Sequence, residues 1–381
     1  MNIMNVSVLV PTFNRANYIS ECLDSLLAQS VPPLEIIVID DGSEDGTAAL
    51  LSSYGERIRH VRKENGGKPS AVNLGLAMAR GDLIWIFDDD DVALPDAIET
   101  RLACLNDHPE AGFVYSPHYY GSDGPDGRIQ RGRLHEVPHF DNDTFFFELM
   151  KGCFFHLATA LVRADVYLKI GGFDGELLSS EDYDMQLRLA RASKPAFSPV
   201  ASFIFRKHAG LRGAKAIRYK ATQRSTVFRK FDQRVGQKLR ASLAPGEYLV
   251  PRQTEELSSE AHKQGLLNRM TVMASKGCIP EMFDDLRQLL SLPETGRQLS
   301  RIDAKTISEA IRTGYAYEAC RNDWGGFLNN IIGLKDFGAG KSAIRALADG
   351  VFAMAKGYPE SFSGRLGKLR VALCLVTASF R

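Results

Sequence analysis

The sequence predicts an α/β fold with a mostly parallel sheet and flanking helices, followed by a helical C-terminal region. Up to about residue 115, short apolar runs typical of buried strands alternate with segments of 3.6-residue apolar period. Such alternation indicates βαβ units. Two of the apolar runs end in aspartates, as expected where parallel strands end at a ligand site. Beyond about residue 214, helical patterns dominate and few strand signals remain.

The first half of the α/β region contains three predicted strands and two predicted helices. The residues VSVLVP read as a buried strand, and Ile19, Cys22, Leu23, Leu26 and Leu27 then share one helical face. A second strand, LEIIVID, ends in the turn-forming residues DDGSEDG. A helix near 47–54 and a short strand near 58–62 complete this half.

The second half repeats the alternation. The segment KPSAVNLGLAMA predicts a helix, LIWIF a strand before four aspartates, and GFVYS a strand that follows a helix after Pro95. Residues 117–140 are rich in Gly, Asp and Pro and predict a long loop. Next come a strand and short helix in ATALVRADVYLKIGGF, a helix in SSEDYDMQLRLARA and a last strand in ASFIF.

We expect two domains, residues 1–213 and 214–381. The net charge of +1 conceals a basic segment, since residues 204–240 contain twelve Lys or Arg and one acid, Asp232. Its functional interpretation is contact with an anionic membrane surface or a lipid-diphosphate acceptor, and its plain interpretation is a solvated face. Nucleic acid is disfavoured because few aromatic residues interleave with the charges and no binding motif is present.

The N-terminal residues MNIMNVSVLVPTFNR lack a basic stretch followed by a long apolar one, so no signal peptide is expected. No apolar run approaches the ~20 residues that a spanning helix needs. These observations predict a cytoplasmic protein, with a peripheral contact at the inner face of the plasma membrane as a second expectation. The oligomeric state is left open.

Two acidic clusters carry the chemistry. Asp40 and Asp41 end one predicted strand, and Asp88 to Asp91 follow another, so neighbouring strands would bring both to one crevice. Clustered carboxylates need a cation, and oxygen ligands suit Mg²⁺ or Mn²⁺. The plain alternative is a pair of solvated acidic turns. Neither G-x-G-x-x-G nor a P-loop is present, so a metal ion would have to neutralise bound phosphates.

Four motifs together carry a family resemblance over about residues 5–210. VSVLVPTFNR, VIDDGSEDGT, NGGKPSAVNLGLAMARGDLIWIFDDDDVALP and GGFDGELLSSEDYDMQLRLA resemble, in order and spacing, family 2 glycosyltransferases of the GT-A fold. The resemblance implies a metal-dependent, inverting transfer from a nucleotide sugar, UDP-linked by expectation, to a hydroxyl of a glycan, polysaccharide or lipid-linked acceptor.

The resemblance also implies roles for individual residues on the donor side. Asp41 would bind the base, Pro11 and Phe13 would form the wall against it, and Asn65 and Lys68 would lie near the base or phosphates. Asp88 would face the ribose and Asp90 would hold the metal, with Asp89 and Asp91 as an overlapping alternative pair. Many members have Arg before the helical Asn, where this chain has Val72, and Lys68 could compensate; its plain interpretation is an exposed helix-start lysine.

The remaining roles concern catalysis and the metal. Glu181 and Asp182 match the family's Glu-Asp pair, in which the Asp is the general base; alone, the pair reads equally as a helix N-cap. His208, in FRKHAG, matches a histidine that can complete the metal site. His156 is interpreted first as a core residue and second as acceptor-facing. Two other classes stay open, a nucleotidyltransferase and a non-catalytic nucleotide-sugar-binding module.

Overall fold

The computed structural model describes residues 4–208, 224–312 and 315–355. Its internal contacts divide the chain into two units, residues 1–146 with 153–228 and residues 147–152 with 229–381. The boundary predicted at residues 213 and 214 falls outside the described residues and stays a prediction. Each unit is described by itself below.

The first unit contains the strands of the α/β region, numbered here in chain order. These are β1 (Val6–Thr12), β2 (Glu35–Asp40), β3 (Arg59–Arg62), β4 (Leu83–Ile86), β5 (Val92–Ala93), β6 (Ala111–Tyr115), β7 (His118–Asp123), β8 (Ile129–His135), β9 (Leu161–Arg163), β10 (Lys194–Phe197) and β11 (Phe203–Lys207). Seven of them form one sheet in the order β10-β6-β9-β4-β1-β2-β3. Among these described strands, only β9 pairs antiparallel in this sheet. The predicted mostly parallel α/β fold is therefore confirmed.

Helices α1 to α7 flank the strands. They are α1 (Ile19–Leu27), α2 (Thr47–Ser53), α3 (Lys68–Met78), α4 (Ala97–Asp107), α5 (Asn142–Lys151), α6 (Ala164–Ile170) and α7 (Glu181–Ala192). The apolar face of α1 packs on the buried strands, with Ile19, Cys22 and Leu23 fully buried in one core cluster with Val8, Val38 and Trp85. Burial of this kind stabilises the sheet from which the acidic loops project.

The predicted long loop over residues 117–140 is wrong. Strands β7 and β8 form an antiparallel hairpin there, and β11 and β5 extend it to a four-stranded sheet in the order β5-β11-β7-β8. The turn residues DGPDG between the strands gave the loop signal, whereas pairing with the distant β11 stabilises the hairpin. The short strands β5 and β10 were also not predicted from the sequence.

The second unit is helical among the described residues. Helix α8 (Arg224–Ser242) enters this unit at Arg229. The helices that follow are α9 (Ser259–Ser275), α10 (Ile279–Ser291), α11 (Arg301–Ala310), α12 (Ala316–Asn322), α13 (Trp324–Gly333) and α14 (Gly340–Ala355). The predicted helical C-terminal region is confirmed over these ranges. At its centre the fully buried carboxylate of Asp285 pairs with Arg240 at 3.0 Å and with Arg269 at 2.7 Å.

These contacts change the interpretation of the basic segment. Arg229 pairs with Glu318, and Arg240 pairs with Asp285, so both serve the packing of the helical unit. Arg206 is buried in the first unit and pairs with two carboxylates there. Much of the rest, residues 209–223, lies outside the described residues. In the part of the chain that the structure covers, no helix has both the length and the apolar character to cross a bilayer.

Candidate active site

The site lies at the carboxyl ends of β1, β2 and β4. Strand β1 lies between the other two, so the two acidic clusters flank its end and are not on adjacent strands as the sequence analysis expected. Asp41 N donates to Thr12 O, which fixes the first residue after β2 against the end of β1. Pro11 is buried in β1, opposite Ile39, and the half-buried Phe13 follows the strand.

Asp41 organises the loop before α3. Its Oδ1 accepts hydrogen bonds from Lys63 Nζ (2.8 Å) and Gly66 N (2.9 Å), and its Oδ2 from Asn65 Nδ2 (3.0 Å) and Gly67 N (2.7 Å). The carboxylate is almost fully buried, and four donors satisfy its lone pairs. Asp41, predicted to bind the base, and Asn65, predicted to lie near the base or phosphates, are thus brought together at one point of the loop.

Lys68 connects two parts of the site that the sequence could not join. From the first position of α3, its Nζ donates to Asp88 Oδ1 at 2.8 Å and to Asp182 Oδ2 at 3.0 Å. Burial lowers the pKa of Lys68, but the charges of Asp182 and Asp88 outweigh it, so the pKa is raised well above its usual value. The exposed helix-start lysine of the plain interpretation is therefore wrong, because this ammonium is a bridge between two carboxylates.

Asp182 stands in the first turn of α7, where the helix dipole favours a carboxylate. The preceding Ser180 has a positive φ of 60°, and its side chain makes no capping hydrogen bond to the described backbone of this helix. Asp182 Oδ1 is buried, and no donor among the described residues reaches it. Burial raises the pKa of Asp182 while Lys68 opposes the rise. Burial and the Asp182 charge also raise the pKa of Glu181, to about 7.

Asp89 and Asp90, the middle two residues of the run from Asp88 to Asp91, share the cation of Arg15. Arg15 Nε lies 3.3 Å from Asp89 Oδ1 and 3.8 Å from Asp90 Oδ2. Burial raises the pKa of Asp89 to about 7, although Arg15 opposes this rise. Arg15 follows β1 in the loop TFNRAN, and this position at a carboxyl strand end is the signal that sequence analysis missed.

His208 and Asp90 are brought into contact. His208 Nε2 lies 2.9 Å from Asp90 Oδ2, its side chain is 2% exposed, and its ring packs on Tyr18 at 5.0 Å between centroids. The neighbouring Asp91 serves the scaffold instead, since its Oδ1 accepts from the backbone N–H of Arg206 at 2.8 Å. Asp91 is nearly fully buried, which favours Asp88 and Asp90 over the alternative pair as the ligand-facing aspartates.

Arg206 clamps the acidic run in place. Its Nε donates to Asp90 O at 2.7 Å, and its two terminal nitrogens pair with Glu21 of α1 and Asp123 of β7. The side chain is 1% exposed. A buried guanidinium with three fixed partners holds the loop between the two sheets of this unit in one conformation.

The donor set at Asp90 and His208 fits a divalent cation. One imidazole nitrogen and one carboxylate oxygen within 2.9 Å of each other are ligand types that Mn²⁺ accepts. Among the described residues, no group of three or more His, Cys, Asp or Glu side chains is arranged to hold a metal by itself. A cation here would therefore depend on oxygens from a bound diphosphate, which is the usual way that Mg²⁺ is held at phosphate sites.

Comparison with known proteins identifies the region that carries these motifs. The family model described as glycosyl transferase family 2 matches residues 7–171. This region is a family 2 glycosyltransferase domain. The predicted family is thereby confirmed, while the roles of single residues stay predictions.

Several curated relatives share this domain. An uncharacterized glycosyltransferase of Rickettsia prowazekii is 33% identical over 213 residues, which is 54% of this chain and 64% of that protein. The chondroitin synthase of Pasteurella multocida is 32% identical over 192 residues, which is 50% of this chain and 19% of the synthase. The chain thus spans less than two thirds of the length of either relative.

Solved structures confirm the GT-A-like fold. The structure of S. aureus TarS 1-349 in complex with UDP-GlcNAc has a TM-score of 0.53 and 18% identity, covering 84% of this chain and 89% of that one. At this identity the likeness is one of fold.

Proposed function

We propose that this protein is a metal-dependent inverting glycosyltransferase. It would move a sugar from a nucleoside diphosphate, UDP by our expectation, to a hydroxyl of a glycan, polysaccharide or lipid-linked acceptor. The observation that carries the proposal is the Lys68 bridge, because one ammonium joins the donor-side carboxylate of Asp88 to the candidate base Asp182 at 2.8 and 3.0 Å. A base and a donor site within reach of one side chain are what a direct displacement requires.

In this proposal Asp182 is the general base. Its Oδ1 takes the proton from the acceptor hydroxyl while that oxygen attacks the anomeric carbon from the face opposite the diphosphate. The bond from the anomeric carbon to the diphosphate oxygen breaks, and its electron pair leaves with the nucleoside diphosphate. One displacement inverts the configuration, and a second protein carboxylate acting as acid is not needed when the leaving group is already a stabilised anion. Glu181, next to the base, keeps the local charge low because its pKa is near 7.

Asp90 and His208 would hold the divalent cation, which supplies charge neutralisation for the leaving diphosphate. Arg15 stays beside Asp89 and Asp90 and limits the repulsion between them. Lys68, released from Asp88 or Asp182, would be available to pair with the donor's diphosphate. Asp41, with Asn65 and the loop it holds, would form the base end of the site, against Pro11 and Phe13, and Asp88 the ribose side.

The glycan acceptor has separate support. Two relatives of 32% identity are named chondroitin synthase and hyaluronan synthase, and both names denote the making of a polysaccharide. The TarS structure with bound UDP-GlcNAc, of the same fold, makes that nucleotide sugar the first donor to test.

The test is the substitution Asp182→Asn, assayed by release of UDP from UDP-GlcNAc and other UDP-sugars and by calorimetric binding of UDP. An amide cannot take the proton, so turnover should fall by roughly 10²- to 10⁴-fold, the usual contribution of a general base. Binding of UDP should change little, because the base acts on the acceptor.

Asp184→Asn is the matched control, since Asp184 lies on the same helix but pairs with Arg188 at 2.9 Å. It should keep most of the turnover. Near-wild-type turnover in Asp182→Asn would remove Asp182 from the mechanism. Tight binding of UDP-sugars by the wild type with no turnover at all would favour the non-catalytic binding module instead.

A further inference from the structure

The hairpin that the sequence analysis took for a loop presents a basic and aromatic face. Strand β11 pairs with β7 so that Phe205 lies opposite Tyr120. Lys207 Nζ lies 3.7 Å from the centre of the Tyr120 ring, and the guanidinium of Arg133 lies 5.3 Å from the same ring. Two cations from two strands are therefore arranged around one tyrosine, in the range of cation–π contact.

Four cations of the hairpin and of β11 form no ion pair within the described part of the chain. None of Arg128, Arg131, Arg133 and Lys207, all exposed, forms an ion pair with a carboxylate of the described residues. Strand β7 contains one acidic residue, Asp123, and its carboxylate pairs with Arg206. Among the described residues, the two cations around Tyr120 are thus held by ring contacts and not by ion pairs.

Three histidines lie beside this charge. The ring of His118 packs between those of His135 (4.7 Å) and His156 (4.8 Å), and His135 Nδ1 lies 3.3 Å from the Tyr120 hydroxyl. Burial, together with the charges of Arg133 and Lys207, lowers the pKa of His135. His118 is fully buried, and within the described part of the chain neither of its ring nitrogens has a hydrogen-bond partner. The region is therefore positive and polar, and the two ring nitrogens of His118 lack hydrogen-bond partners among the described residues.

The face is linked to the helix that carries Asp182. The backbone oxygen of Phe155, next to His156, accepts from Gln186 Nε2 at 2.7 Å. Gln186 lies on α7 four residues after Asp182, which is about one helical turn. Side chains alternate between the two faces of β11, so Lys207 lies on this face and Arg206 on the opposite one, toward Asp90. The face therefore adjoins the helix that carries the candidate base, and not the donor side.

We propose that the face formed by Tyr120, Arg133, His135, His156 and Lys207 binds the acceptor and selects one that bears an anionic group, a carboxylate or a phosphodiester. The proposal rests on the proposed function and names the acceptor class for it. Tyr120 offers a ring on which a sugar can pack, and the two cations offer partners for the anion. A neutral acceptor would leave the two cations uncompensated and would gain nothing from them.

The test measures binding of three tetrasaccharide-sized probes to the whole chain in the presence of UDP and Mn²⁺: a uronate-containing oligosaccharide, a glycerol-phosphodiester oligomer and a neutral oligosaccharide. At least one anionic probe should bind more than tenfold tighter than the neutral one, and which of the two does so identifies the anion. The double substitution Arg133→Gln with Lys207→Gln should remove most of this difference.

Arg128→Gln is the matched control, because Arg128 is exposed on the same hairpin and is not among the cations that lie over the Tyr120 ring in the described part of the chain. It should change binding less than twofold. The proposal is overturned if the neutral probe binds as tightly as the anionic ones, if no probe binds, or if the double variant binds like the wild type. UDP binding and UDP-sugar hydrolysis, measured in the same samples, report on the proposed function separately, since none of these substitutions lies on the donor side.

Discussion

Substitution of Lys68 by methionine tests how the base is held in its ionised form. In the structure the ammonium of Lys68 lies 3.0 Å from Asp182 Oδ2 and stabilises the carboxylate over the carboxylic acid. Burial acts in the opposite sense and raises the pKa of Asp182. Without the ammonium only burial and the nearby Asp88 charge remain, so the pKa of Asp182 should rise. A base must be ionised to act, so the acid limb of the pH–rate profile should move to higher pH.

The size of the effect follows from the distance. Two unit charges 3.0 Å apart attract by about 5.5 kcal/mol at an effective dielectric of 20 and by about 1.4 kcal/mol in bulk water. Because the side chains of Lys68 and Asp182 are 28% and 33% exposed, solvent screens part of the attraction, and the lower figure is the safer bound. It corresponds to about a tenfold lower rate on the acid limb, or a displacement of that limb by about one pH unit.

The assay is UDP release from a UDP-sugar over a range of pH, with Lys68→Arg as the control that keeps the charge. Methionine should lower the rate most at acid pH and least at alkaline pH, whereas arginine should keep the acid limb close to that of the wild type. A uniform loss at every pH would mean that Lys68 acts on the donor alone. An unshifted profile in the methionine variant would refute the reasoning about Asp182.

Two further predictions concern the metal and the membrane. In calorimetric titration, His208→Ala should weaken UDP binding in the presence of Mn²⁺ by roughly 10- to 100-fold and leave metal-free binding unchanged. Asp90→Ala should weaken binding with Mn²⁺ more. Identical titrations for His208→Ala and the wild type would exclude His208 as a metal ligand. The basic segment should give salt-sensitive recovery with anionic but not neutral vesicles in flotation, at about 1 kcal/mol per Lys or Arg at the surface. Arg206, Arg229 and Arg240 are excluded from that sum because they pair with carboxylates of the chain; equal recovery with both vesicle types would leave only a solvated face.

The strands that carry the site could be predicted because they are buried on both sides. Such strands read as continuous apolar runs, and in β1, β2 and β4 every residue is buried. The aspartates that end β2 and follow β4 marked their carboxyl ends. Their order in the sheet could not be predicted, because periodicity reports which face of a strand is buried and not which strand is its neighbour.

The hairpin could not be predicted for a related reason. Strand β8 is exposed along most of its length and rich in Arg, so it has no apolar alternation to detect. Its pairing depends on contacts far along the chain: at Gly121 a Cβ would come within 2.6 Å of the Ile204 side chain and 2.8 Å of Gln130 O. The close approach of these strands requires glycine there, and in the sequence that glycine reads as a turn residue.

The site's polar contacts join residues far apart in sequence. They explain how four adjacent aspartates can be tolerated in one loop. Asp88 pairs with Lys68 of α3, Asp89 and Asp90 with Arg15 after β1, and Asp91 accepts from the backbone of β11. The four carboxylates thus have partners from three different parts of the fold, which offsets the repulsion that adjacent charges would otherwise impose.

This division of partners also separates roles within the run. Asp91 is turned to the scaffold and fixes the loop, while Asp90 keeps His208 at 2.9 Å and Asp88 keeps Lys68 between itself and Asp182. Lys68 pairs with both Asp88 and Asp182. If the donor diphosphate also pairs with Lys68, as proposed, replacing Lys68 should change both the pH dependence of turnover and the affinity for UDP.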